Sequence, residues 1–211
     1  MKVEDIHIPT ILKNLAEKRL VFHFEADLQL TLARYMRKIY PHLKIYLEHP
    51  INLSNKKRNC DIVLFRGDRI VMAIELKFFT RKLEYENKGE LFTLKQRDAR
   101  DLGRYGILQD VERMECFLEE EPKAQASVIA VTNDYNYWES SREGKIDEEF
   151  DIHQGTILTG VRKWKGSPKS WKKGPVKIRG RYKMEWQKYS EINRKFGLFY
   201  YLHIPIERPE T

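Results

Sequence analysis

Three side chains in this sequence combine chemistry with usable spacing: Asp61, Glu75 and Lys77. Two carboxylates can hold one hard divalent cation, and an ammonium beside them can stabilise charge developing on an anion. Glu75 and Lys77 lie two apart in residues 70–78, a run that is otherwise wholly apolar. Read as a strand, the run places both on one face, about 6–7 Å apart. A strand this apolar is buried on both faces and belongs in the middle of a sheet. An acid and a lysine there carry a burial cost. A cation on Glu75 and an anionic substrate at Lys77 would offset it. The plainer alternative is a surface hairpin with ordinary ion pairs.

Asp61 opens the preceding strand, residues 61–65. Arg66-Gly67-Asp68-Arg69 is a turn sequence, so the two strands read as an antiparallel hairpin. A two-residue loop at Gly67-Asp68 sets Asp61 across from Ile74, on the wrong face. One residue more sets Asp61 opposite Glu75, with Cβ atoms about 5 Å apart. For the carboxylates to share a cation, the hairpin needs an odd-length loop or a bulge.

Other elements must position these strands. A short helix is expected at residues 9–18, with Pro9 in its first turn. A second is expected at 25–40, where Leu28, Leu32, Met36 and Ile39 recur at helical spacing and Pro41 follows. Residues 44–47 read as a short strand and 51–58 as a polar connection. A polar stretch at 80–90 leads to a long helix at about 94–119, with Ile107, Val111, Met114 and Leu118 as its apolar stripe. Residues 126–132 form a further strand. The order predicts an α/β fold with a mixed central sheet flanked by helices. Beyond it, strands are expected at 155–161, 176–179, 181–186 and 199–204, with a Gly/Pro/Lys-rich loop at 163–175. No internal repeat or linker is evident. The expectation is one domain over 1–211, with its core at about 20–135 and a β-rich basic elaboration at about 150–211.

The 211 residues are 33% charged and 41% hydrophobic, enough for a sizeable core and too apolar for disorder. No apolar run exceeds five residues, so neither a membrane helix nor a signal peptide is expected. Cys60 and Cys116 make neither a disulfide framework nor a zinc site. They read as buried thiols, and a cytoplasmic location is the default. The net charge of +8 is uneven. Residues 156–195 hold thirteen Lys and Arg against Glu185 and Glu191, so this window carries +11 and the remainder −3. Within it Arg162, Lys163, Lys165, Lys172, Lys173, Lys177, Arg179 and Arg181 interleave with Trp164, Trp171, Tyr182 and Trp186. Cations for phosphates and aromatics for bases suit a nucleic-acid surface. The alternative has the aromatics in the core and the lysines solvated.

The pattern Asp61-x13-Glu75-x-Lys77, in this order of elements, resembles the PD-(D/E)XK nuclease superfamily, the fold of restriction endonucleases and many repair nucleases. Residues 24–132 match its core order, with Cys60 where a proline often precedes the Asp. Phe22-His23-Phe24-Glu25-Ala26-Asp27, Asp101-Leu102-Gly103-Arg104-Tyr105 and Asp110-Val111-Glu112-Arg113 also look like uncharacterised prokaryotic members with this core.

The resemblance implies a restriction-endonuclease-like fold and Mg²⁺-dependent hydrolysis of DNA phosphodiester bonds, with Mn²⁺ as a substitute and a 5′-phosphate product. It assigns Asp61, Glu75 and the Leu76 carbonyl to the metal, and Lys77 to the attacking water. Glu25, at the start of the preceding helix, matches a further acid that would admit a second metal, although any acid is favoured in a first helical turn. Gln96 matches a polar residue on the following helix that reaches the site, and is as well explained by a solvated position. Asp101 and Arg104 read as surface ion pairs, and His23 as a turn or core residue. The expected partner is nucleic acid, DNA in particular, with no membrane. A homodimer is one route to the two active sites that duplex cleavage needs. The alternatives are a structure-specific or single-strand nuclease of repair or defence, and a nucleic-acid-binding module without catalysis.

Overall fold

The computed structural model describes residues 6–53, 56–96, 99–166 and 174–208. Helix α1 (Ile8–Ala16) starts at His7, whose Nδ1 accepts the Thr10 N–H, with Pro9 in the first turn. Helix α2 (Glu25–Ile39) turns Leu28, Leu32 and Met36 inward. Both pack on one face of a six-stranded sheet. Helix α3 (Arg100–Glu120) covers the other face with Ile107, Val111, Met114 and Leu118.

The sheet contains β1 (Lys44–Leu53), β2 (Lys56–Arg66), β3 (Arg69–Phe79), β6 (Gln125–Thr132), β9 (Trp186–Glu191) and β10 (Leu198–Ile206), in the order β1-β2-β3-β6-β10-β9. β3 runs antiparallel to β2 and parallel to β6, so the sheet is mixed. β3 lies between two neighbours, with Val71 to Leu76 all buried, as its apolar run demands. Two small hairpins flank the sheet: β4 (Leu83–Asn87) with β5 (Glu90–Leu94), and β7 (Ile157–Arg162) with β8 (Val176–Lys183). No helix among the described residues is long and apolar enough to cross a membrane.

Three expectations need correction. Residues 51–58 are not a polar connection. β1 continues to Leu53, because Glu48 (φ 48°) bends the strand and sets Ile51 and Leu53 against the α3-side core. The polar stretch at 80–90 is taken up largely by strands: Leu83, Phe92 and Leu94 give the β4–β5 hairpin a buried edge, so α3 starts at Arg100, not 94. Residues 181–186 are not a separate strand: β8 continues through Gly180 to Lys183, and β9 follows. β9 and β10 then complete the central sheet, β10 pairing directly with β6.

Candidate functional site

The hairpin turns through Gly67 and Asp68, with Arg66 paired to Arg69 and Gly67 in the left-handed region (φ 62°) that glycine tolerates. Phe65 pairs with Ile70, but Leu64 pairs with Met72, so Val71 is a one-residue bulge. That residue shifts the register by one, and Val63 and Ile62 then face Ala73 and Ile74. Asp61 comes level with Glu75. Of the two solutions open to the sequence, a longer loop or a bulge, the chain uses the bulge.

The β2–β3 ladder ends at Ile62 and Ile74, leaving the rest of β3 with an open edge. Carboxylates take its N–H groups: Leu76 N–H donates to Asp61 Oδ2 at 2.5 Å, and Phe78 N–H to Glu25 Oε2 at 2.8 Å. Buried amides need such partners. The same bonds fix the two acids along one strand edge. Gln29 on α2 steadies this corner, donating to the Asp61 carbonyl (2.8 Å) and to Glu48 Oε1 (2.7 Å).

Glu75 and Lys77 point toward α3. Glu75 is 2% exposed, with Oε2 2.7 Å from Arg113 Nη2. Its Oε1 is buried with no hydrogen-bond partner. Lys77 Nζ lies 2.7 Å from Asp110 Oδ2 and donates to the Leu76 carbonyl at 3.1 Å. Arg113 also pairs with Asp110 Oδ1 at 2.6 Å. The Lys77 stem passes over Gly106, where a Cβ would lie in ordinary van der Waals contact, 3.8 Å from Lys77 Cε.

Three carboxylates, Asp61, Glu75 and Asp110, thus face two cations, Lys77 and Arg113. Burial, then the Asp110 charge, push the Glu75 carboxyl up to about 9, against the pull of Arg113. Burial also raises Asp110, despite Lys77 and Arg113. Burial by itself would lower Lys77, but Asp110 together with Glu25 and Asp61 outweighs it and the amine rises, so Lys77 stays a cation at neutral pH. The Cys60 thiol is pushed well up by burial, then by Glu75 and Asp61, and stays neutral.

This arrangement fits a hard divalent cation on two counts. Glu75 Oε1 lacks a partner, and a cation bound there would take the place of the proton that burial keeps on Glu75. The donors are oxygens, and Mg²⁺ takes one or two carboxylates while keeping several waters. The set is small: among the described residues, no group of three or more His, Cys, Asp or Glu is placed to hold a metal. Asp61, Glu75 and the Leu76 carbonyl are the donors at hand. Glu25 does not complete a larger group. It binds the Phe78 amide, and its charge is felt at Lys77.

Gln96 is not on the following helix. It is exposed in the segment between β5 and α3, since β5 occupies residues where the helix was expected to begin. Arg104 is not a surface residue either. It is 1% exposed and pairs with the buried Asp147 at 3.2 Å. His23 stacks on Phe92, with Nε2 2.9 Å from Glu90 Oε1.

Several cations of the basic window are engaged within the chain. Arg179 pairs with Glu115 and Glu119, Lys165 with Glu148 at 2.7 Å, and Arg162 donates to the Ile157 carbonyl. Lys163, Lys177 and Arg181 are exposed. Lys172 and Lys173, with Trp171, lie outside the described residues. Tyr182, Trp186 and Tyr189 are buried, so these aromatics are core.

Asp110 and Arg113 are site residues to which sequence reasoning gave no role. A signal existed for Asp110. It falls three after Ile107 and four before Met114, inside the apolar stripe, where a charged residue needs a reason. Compared with protein-family models, curated proteins and solved structures, the chain finds no match.

Proposed function

We propose that this protein is a metal-dependent nuclease that hydrolyses DNA phosphodiester bonds on a restriction-endonuclease-like fold. One observation carries the reading: Asp61, Glu75 and Lys77 converge on one end of β3 around a buried carboxylate oxygen that has no partner. The mixed sheet between α2 and α3 and the bulged hairpin add support.

A divalent cation held by Asp61, Glu75 and the Leu76 carbonyl would polarise the scissile phosphate and acidify bound water. The chain's own groups do the rest. Lys77, kept an ammonium by Asp110, donates to the phosphate or to the attacking water and offsets charge gained in the transition state. Its raised pKa keeps it a fixed cation that donates hydrogen bonds and does not act as a general base. Asp110 sets where the amine stands, and Arg113 bridges Asp110 to Glu75. Glu25 and Asp61 hold the β3 edge rigid through the Phe78 and Leu76 amides.

The test is nicking of supercoiled plasmid in Mg²⁺ or Mn²⁺ by the wild type, Glu75→Ala and Lys77→Ala. Both variants are expected to lose about 10²-fold or more in rate, the scale of removing one preorganised charge-stabilising group. Equal cleavage by all three would overturn the assignment. A second reading, a nucleic-acid-binding module without catalysis, draws on the pairing of Lys77 and Glu75 with Asp110 and Arg113. DNA retention by the wild type with no cleavage in either metal would favour it.

A further inference from the structure

Glu75 is sealed from solvent, so a substrate needs a way in. A cleft of about 500 Å³ opens between β2 and α3, its charged lining being the cations Lys56, Arg58 and Arg113 and the acids Asp110 and Glu112, the latter already accepting the Lys177 amide. Asp110 and Arg113 also belong to the carboxylate–lysine cluster, so the cleft ends on it. A larger cavity of about 680 Å³, near Trp138, Arg194 and Phe196, shares no residue with the cluster.

The cleft's charge has a source. Lys56 and Arg58 are exposed, two apart on β2, and neither has an ion-pair partner among the described residues. Two residues of strand span about 6.5 Å, so the two cations form a short positive track leading toward Arg113. In the basic window of residues 156–195, Lys165, Arg179, Lys183 and Lys188 each pair with a neighbouring acid, while Lys163, Lys177 and Arg181 are exposed but do not line this cleft. Free cations beside the reacting groups bind phosphate more strongly than cations already neutralised.

We infer that this cleft binds the sugar–phosphate backbone of the substrate strand, with Lys56 and Arg58 on phosphates flanking the scissile one. The position relative to the scissile bond rests on the nuclease reading; binding in the cleft does not.

The test uses the full chain with fluorescein-labelled DNA, measured by anisotropy in EDTA over a series of salt concentrations. The double variant Lys56→Ala/Arg58→Ala should bind about tenfold or more weakly, with a log K against log salt slope smaller by about 2, one for each lost phosphate contact. A control on the other sheet face, Arg34→Ala/Arg37→Ala on α2, should match the wild type. Unchanged affinity and slope in the cleft variant would overturn the inference. So would a larger loss in Lys163→Ala/Arg181→Ala, or no DNA binding by the wild type. Both cleft positions are exposed, and a thermal melt of each variant separates lost binding from lost fold. The two readings fail separately. Cleft-dependent binding without cleavage leaves the cleft standing and removes the nuclease. Metal-dependent cleavage with unchanged affinity in the cleft variant does the reverse.

Discussion

At the residue scale, charge balance governs the site. Asp110 faces the cleft and holds Lys77, so its charge has two opposed effects on DNA. It repels phosphate while placing the amine. Asp110→Asn should therefore bind DNA more tightly yet cleave it about 10–100-fold more slowly, since misplacing a reacting group by about 1 Å costs up to that much. Parallel loss of both, in anisotropy and single-turnover cleavage, would show a merely structural role. A second residue lies away from the site. His203 on β10 is largely buried, with Nε2 3.0 Å from Ser127 Oγ. Burial, then His7, lower its pKa to about 4. The unfolded chain takes up that proton near pH 6.5 and the folded one only near 4, so stability falls as pH drops across this window. By pH 5 the loss is about 1–2 kcal/mol. Urea unfolding at pH 7 and 5 should show that extra loss in the wild type and not in His203→Gln.

At the element scale, α3 is the part that reads as two helices in one. Its middle, from Gly106 to Arg113, faces the site, and its C-terminal part anchors β8, where the fully buried Glu115 accepts the Arg179 and Gly180 amides and the Tyr182 hydroxyl. Two glycines in the first half have opposite reasons to be there. A Cβ on Gly103 would overlap the Tyr137 hydroxyl and press on the Phe79 ring, whereas one on Gly106 would meet only Lys77 Cε at 3.8 Å. Gly106→Ala should then stabilise the protein by about 0.5–1 kcal/mol through helix propensity. Gly103→Ala should destabilise it by about 1–3 kcal/mol through overpacking. Denaturant midpoints rank the two. A Gly106→Ala variant less stable than wild type would mean that Lys77 cannot give way.

For the molecule as a whole, the site is a place where buried charge opposes folding. On the proposed reading, a divalent cation at the end of β3 would replace the proton on the buried Glu75 and bind the folded state alone. At about 100 times Kd, Mg²⁺ or Ca²⁺ adds about 2.7 kcal/mol, a rise of roughly 5–10 °C in Tm for a chain of this size. Scanning calorimetry should show that rise in the wild type and lose it in Asp61→Asn/Glu75→Gln. Equal shifts in both would place the cation elsewhere.

Much of the scaffold was legible in residues 25–132, because each signal there is local. Leu28 to Met36 repeats at helical spacing, residues 70–78 are too apolar for a surface strand, and Glu75 and Lys77 share a face by the period of two. The sequence by itself also set the condition for Asp61 to meet Glu75: one extra residue in the hairpin. Only the tertiary structure decided where that residue went, because Val71 is as suitable for a regular strand as for a bulge. The hairpin β4–β5 was hidden by its many charges, which mask a buried edge of only three apolar side chains. Asp110 and Arg113 lie on α3, which reaches β3 only when the sheet closes over it, so no local pattern could join them to Glu75 and Lys77. The destination of the C-terminal strands was likewise set by pairing across the chain, β10 against β6. Periodicity says which face of an element is buried; which distant element covers that face is decided by packing, and that packing brought two charged helix residues onto the carboxylates.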